Sequence, residues 1–191
     1  MKLRILAVVL LVIAATATIW PLAADKTEPN DTLPVWSADS DGDGASVPYT
    51  VTGVPLTGAE GHIVNDLLAP PAEAKIVSFF FSSCTTICPV VNHHLNRLSE
   101  RFVGTSVLLH SVSVDPANDT PAVLQQYRAD HRYQRGNWRF YSGTPKDILT
   151  LAANCRLKVF ETDPGAPFMH DPIVVLLDRR NRIRGYYNGL R

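Results

Sequence analysis

The chain has 191 residues, is 46% hydrophobic, and balances 18 Lys and Arg against 18 Asp and Glu for a formal charge of zero. That length allows one domain plus extensions. The even charge argues against a nucleic-acid footprint, and there is no acidic tail to suggest a basic partner. Three cysteines leave one unmatched in any pairing scheme.

Lys2 and Arg4 precede an uncharged stretch from Ile5 to Ala24. This reads as an export signal with a positive n-region. It is also long enough to cross a bilayer, with Trp20 suited to the interface. Small residues would permit cleavage after Ala17 or Ala24, so a cleaved signal and a retained anchor both remain open. Either way residues 1–24 send the rest of the chain to an oxidising compartment. Residues 25–46 are rich in Asp, Thr, Pro, Gly and Ser and are expected to form a linker. Within it, Asp39-Ser40-Asp41-Gly42-Asp43-Gly44 copies half of a calcium loop. The position that needs a bidentate Glu is Thr50, so a solvated turn is the better reading.

The folded domain is expected over residues 47–191. Pro48–Val54 and the turn Gly61-His62-Ile63-Val64 suggest a small hairpin, followed by a core strand over Lys75–Phe81. A helix is predicted from Pro89 to about Phe102, with Val91, Leu95, Leu98 and Phe102 on one face. Its proline suits the first turn, where the missing N–H costs nothing. Val107–Val114 is the next strand. Thr120-Pro121 and Thr144-Pro145 each start a further helix, ending near His131 and Cys155. A short strand, Trp138–Tyr141, lies between them. Ile173–Leu177 and Ile183–Tyr187 form a closing hairpin across Asp178–Asn181. Alternating strands and helices imply an α/β domain with helices on both faces of a central sheet.

The chemistry concentrates in FSSCTTICPVV, where the first core strand leads into the first helix. Cys84 and Cys88 are four residues apart, so on a helix they would share a face with Cα atoms about 6 Å apart. A helix N-terminus favours thiolate over thiol. The pair can therefore be a dithiol, a disulfide, or two soft ligands for Cu(I) or Zn(II). A thiol pair after the first core strand is the thioredoxin arrangement, here with three intervening residues.

A third ligand would come from six histidines. His170 stands out because it precedes the strand Ile173–Leu177, which in a thioredoxin-like sheet is entered beside the cysteines. His93 and His94 are expected to face solvent, and His110 to be a satisfied core histidine. His62 and His131 carry no such signal. Cys155 reads as a small buried hydrophobe. Asp115 and Asp119 are expected to cap the Thr120 helix or close the turn before it, with a supporting role near a metal left open.

In this order and spacing, FSSCTTICPVV, VSVDPANDTP and MHDPIVVLLD resemble the Sco/SenC family. The resemblance covers roughly Val47 to Tyr187. It implies a thioredoxin-like fold with a central mixed sheet and an N-terminal β-hairpin extension. It also implies copper as the cofactor, with Cys84, Cys88 and His170 as ligands. The role it implies is a copper chaperone that serves the copper-receiving subunit of a cytochrome oxidase or another cuproprotein. The alternative role is a thiol-disulfide reductase in which Cys84 and Cys88 are the catalytic redox pair. A retained anchor in the bacterial inner membrane, with the domain in the periplasm, follows from the same resemblance. This chain departs from the pattern in carrying Thr85 and Thr86 where Pro and Asp are common, and Asp171-Pro172 where Ser residues follow the histidine. No helix is expected after the last strand, so the sheet behind Tyr186 and Tyr187 is expected to be partly uncovered.

Overall fold

Hydrophobic alternation along four core strands sorts the interior into two layers, and the strand order then decides which chain ends meet. The computed structural model describes residues 33–38, 47–133, 135–160 and 168–191. Pro34–Arg191 forms one unit. The N-terminal stretch 1–24, most of the expected linker including Asp39–Gly44, and residues 161–167 lie outside the described residues. Among the described residues no helix is long and apolar enough to cross a membrane.

In chain order the elements are β1 (Ser37–Ala38), β2 (Val47–Pro48), β3 (Leu56–Gly58), β4 (Ile63–Val64), β5 (Ala74–Phe80), α1 (Cys88–Arg101), β6 (Val107–Ser113), α2 (Pro121–Asp130), β7 (Trp138–Ser142), α3 (Pro145–Asn154), β8 (Val159–Phe160), β9 (Met169–His170), β10 (Ile173–Asp178) and β11 (Ile183–Asn188). The main sheet runs β11-β10-β5-β6-β7-β3-β4. β5, β6 and β7 are parallel, and β10, β11, β3 and β4 join antiparallel at either side. The expected mixed, thioredoxin-like sheet with its N-terminal hairpin is therefore what forms.

Two details differ from the sequence reading. The first arm of the hairpin is Leu56–Gly58 rather than Pro48–Val54, and the hairpin pairs with β7 at the far edge, away from β5. A second pairing, β8 with β9, has no counterpart in the sequence pattern. Strands of two residues carry too little alternation to be read from sequence.

On one face of the sheet, Ile76, Phe80, Leu109, Trp138, Phe140 and Val174 pack with Val91 and Leu95 of α1 and Leu124 and Tyr127 of α2. On the other, Val77, Phe79, Val112, Tyr141, Val175 and Leu177 pack with Ile148, Leu151 and Ala152 of α3. Burying a side chain of this kind stabilises by about 1.5–3 kcal/mol, so each layer anchors its helices firmly. Buried hydroxyls are paired. Ser78 Oγ lies 2.9 Å from Ser111 Oγ, and Trp138 Nε1 donates to Ser111 Oγ at 2.9 Å.

At the β11 edge, Trp36 N–H donates to the Ile183 carbonyl, and the Trp36 ring meets Tyr186 edge-on at 5.0 Å. Pro34–Ala38, within the expected linker, thus covers Tyr186. Its strand neighbour Tyr187 points the other way and is 48% exposed.

Candidate functional site

β5 is buried along nearly its whole length and ends at Phe80, so the chain must turn as it leaves the sheet. Cys84 N–H closes that turn on the Phe81 carbonyl at 3.3 Å. α1 then begins at Cys88, with Pro89 in its first turn and Ile87 as N-cap. The expectation that both cysteines share a helix face is corrected here: only Cys88 is helical, and Cys84 sits in the turn before it.

The reason lies in the cap. The isoleucine side chain offers no oxygen to the first N–H groups of α1, and no side-chain cap bond forms. The sulfur of Cys84 lies near enough to this end for the Cys88 N–H to lower its pKa. Cys84 also lies 3.8 Å from the Thr86 hydroxyl. It therefore rests over the positive end of the helix, where a thiolate is favoured.

Both thiols are free, and they are unequal. For Cys84, burial pushes the pKa up, but hydrogen bonds from the Cys88 N–H and thiol and from Thr86 outweigh it and hold the group at about 7. Cys88 is only 2% exposed. Burial first, then the Cys84 sulfur and the Asp119 charge, push it up to about 12 against one backbone hydrogen bond at Phe81. The half-buried sulfur is thus poised to react, and the buried one keeps its proton.

His170 is held by the β8–β9 ladder opposite Val159. Its ring meets Phe81 edge-on at 6.4 Å, which places it beside the start of the cysteine turn. Nδ1 lies 3.1 Å from the Asp171 carbonyl. A carbonyl only accepts, so Nδ1 carries the proton and Nε2 presents a lone pair. That Nε2 is buried and, among the described residues, has no partner. Burial lowers the pKa of His170, against the Asp171 hydrogen bond, and keeps the ring neutral. A neutral imidazole with one nitrogen tied to a carbonyl and the other free is how histidine is prepared for a metal. Two thiols and this nitrogen form a donor set suited to a soft ion. Among the described residues, however, no three His, Cys, Asp or Glu side chains stand close enough together to hold a metal. The fold brings the two thiols together and sets His170 beside Phe81, without gathering all three.

The other candidates separate cleanly. His93 is exposed, as expected. His94 is half-buried and binds the Gly189 carbonyl at 2.9 Å, so it ties α1 to the chain end rather than facing solvent. Gly189 N–H in turn donates to the Pro172 carbonyl, just beyond His170. His110 is fully buried, but among the described residues only Nδ1 has a hydrogen-bonding neighbour, the Tyr141 hydroxyl at 3.3 Å; Nε2 has none. The expected satisfied core histidine is satisfied on one side only. Cys155 is fully buried at the end of α3, and burial pushes it up to about 12.

Asp115 closes the turn before α2, accepting from Asn118 and Asp119 N–H. The cap itself is Thr120, whose side chain accepts from Val123 N–H. The Asp119 N–H helps to close that turn, but its side chain does neither job: it reaches across to Ser82 and Ser113. Nothing local to its stretch of chain announces that contact.

With this geometry in view, comparison with known proteins places the chain. Residues 56–191 match the SCO1/SenC family model. The chain belongs to the SCO1/SenC family. It is 27% identical over 122 residues to the SCO1 protein homolog of Bacillus subtilis, a match covering 62% of this chain and 63% of that one. This chain therefore spans less than two thirds of that curated relative. Its structure is similar to that of BsSco, a member of the Sco family of cytochrome c oxidase assembly proteins in which a disulfide switch was identified. The TM-score is 0.64 and the identity 26%, covering 76% of this chain and 86% of that one. It is also similar to Bradyrhizobium japonicum ScoI with copper bound, with a TM-score of 0.57 and 25% identity over 74% and 91% of the two chains.

Proposed function

We propose that this chain binds copper as cargo through Cys84, Cys88 and His170. It would pass the ion to the copper-receiving subunit of a cytochrome oxidase or to another cuproprotein. The observation that carries the reading is His170 Nε2, a buried lone pair without a partner among the described residues, beside the residue that opens the cysteine turn. The copper-bound ScoI relative and the oxidase-assembly role of BsSco support it. In the same reading, residues 1–24 hold the domain at a bacterial inner membrane, facing the periplasm.

The residues divide the work. Cys84, held near neutrality by the α1 N-terminus, offers a thiolate first. Cys88 gives up its proton only as the cargo arrives, so loading releases protons. The Asp171 carbonyl fixes the His170 ring so that Nε2 faces inward. Three ligands rather than four leave the ion open to a ligand from the recipient.

The unequal thiols favour a second reading, a thiol-disulfide reductase in which Cys84 attacks and Cys88 resolves. Anaerobic titration of the reduced full chain with Cu(I), beside His170→Ala, separates the two. One equivalent bound by the wild type and weaker binding by the variant are expected. Unchanged affinity in His170→Ala would remove that residue from the site. No binding by the reduced wild type, with retained activity on a disulfide substrate, would leave the reductase reading.

A further inference from the structure

Asp119 has no exposed surface. An ionised carboxylate there loses its hydration, which is unfavourable unless other groups replace it. Among the described residues the replacements come from two places. Ser82 gives its N–H to Oδ2 at 3.0 Å and its hydroxyl to Oδ1 in a short contact. Ser113, the last residue of β6, gives its hydroxyl to Oδ2 at 2.5 Å. Hydrogen bonds to an ionised acceptor are roughly twice as strong as neutral ones.

The carboxylate is thus a brace between the sheet and the cysteine turn. It cannot drift, because Asp119 N–H is itself tied to the Asp115 carbonyl at 2.8 Å and Thr120 starts α2 directly after it. On its other side it fixes Ser82, two residues before Cys84. Between Ser82 and the helix, Cys84 has only the weak 3.3 Å bond to Phe81 and its sulfur contacts to hold it. The place of the Cys84 sulfur over Cys88 therefore depends on where Ser82 is pinned.

We propose that Asp119 is a positioning residue for the thiol pair: acting through Ser82, it sets Cys84 over the first turn of α1 within reach of Cys88. This rests on the reading of Cys84 and Cys88 as the working pair and adds a residue that touches neither cargo nor substrate.

The test is the equilibrium of the full chain with glutathione. Cys84 and Cys88 lose two electrons and two protons to form one S–S bond, while oxidised glutathione becomes two thiols. Asp119→Asn and Ser82→Ala should each shift this equilibrium toward the dithiol by about tenfold, because misplacing one reacting group lowers the effective concentration of the other. Ser113→Ala removes two bonds, to Asp119 Oδ2 and from Asp115 N–H, neither of which reaches the cysteine turn, and should shift it much less. Affinity for Cu(I), read by chelator competition, should fall in the same order, by about 10- to 100-fold for Asp119→Asn. A folded Asp119→Asn with the wild-type glutathione constant would overturn the proposal. So would a Ser113→Ala shift equal to that of Ser82→Ala. If Asp119→Asn does not fold, Ser82→Ala decides alone. If the wild type takes no copper, the cargo reading falls while the glutathione equilibrium still decides the role of Asp119.

Discussion

α2 and α3 begin alike, and α1 does not. Each of the three carries a proline in its first turn. Thr120 and Thr144 then accept from the Val123 and Asp147 N–H groups, which satisfies the exposed end of the helix. At α1 the cap is Ile87, whose carbonyl takes the Val90 and Val91 N–H groups but whose side chain accepts nothing, and the Cys88 N–H instead lowers the pKa of the Cys84 sulfur in the preceding turn. A locally poor helix start is thus what leaves the helix end available to Cys84. Local rules are expected to fail where function requires it.

A second contrast runs the same way. Cys88 and Cys155 are both buried and both pushed up to about 12, while Cys84 sits at about 7. Burial alone makes an inert thiol, and the helix end makes a reactive one.

The largest expected effect tests that contrast directly. At pH 7 a thiol with pKa about 7 is half ionised, whereas one at about 12 is ionised in about one molecule in 10⁵. The lower nucleophilicity of the more acidic thiolate takes back roughly two powers of ten. The opening needed to reach a buried side chain adds about two more in favour of Cys84. Iodoacetamide should therefore label Cys84 at least about 10⁴-fold faster than Cys155, and the Cys84 rate should rise with pH through about 7. Mass-spectrometric mapping of the reduced chain reads both. Comparable rates for the two would break the comparison.

The histidines sharpen it. Among the described residues His170 and His110 each have a buried Nε2 without a partner, but only His170 stands beside Phe81, at the start of the cysteine turn. His110 lies inside β6, where burial first, then Arg139 and Lys75, lower its pKa to about 3. Unfolded, it titrates near 6.5. Its folded pKa is depressed, so the stability it confers is complete above about 6.5 and is lost as pH falls toward about 3. Within that window the unfolding free energy should drop by about 1.4 kcal/mol per pH unit through this residue. Urea unfolding between pH 7 and pH 5 should show a shallower slope in His110→Gln than in wild type. Equal slopes would show that His110 is protonated in the fold. His170→Ala, in contrast, should change copper uptake more than this slope.

Much of this architecture is legible in the sequence. The main strands and the three helices follow from alternation, helical spacing and the Thr-Pro starts. The cysteines and His170 stand out by motif and order. What the sequence hides depends on contacts between distant parts of the chain. Asp119 meets Ser82 across 37 residues, and the two-residue ladder that holds His170 carries no pattern of its own. Asn92 and Ser99, polar residues on the buried side of α1, find partners in Tyr127 and Asn137 that helical spacing cannot reveal. The influence of the α1 end on Cys84 is hidden because sulfur is not among the usual cap acceptors. Spacing alone puts both cysteines on the helix, whereas one of them precedes it.

The smallest effect asks whether that sulfur is a cap in the energetic sense. Thr120→Ala removes the oxygen that accepts from Val123 N–H and nothing from the site, so it should cost about 1 kcal/mol, the usual value for a lost cap. If Cys84 fills the same role at α1, Cys84→Ala should cost a similar amount in the reduced protein at pH 8, where most of the thiol is ionised. It should cost less at pH 6, where a neutral thiol is a weaker acceptor. Cys84→Ser should recover part of the loss, since a hydroxyl accepts from an amide as Thr120 does. Thr120→Ala should show no such pH dependence between those values. Chemical unfolding of the three variants at both pH values reads the difference. A Cys84→Ala cost that is absent at pH 8 would mean that the α1 N–H groups are satisfied by water, and that the helix end favours the thiolate without being stabilised by it.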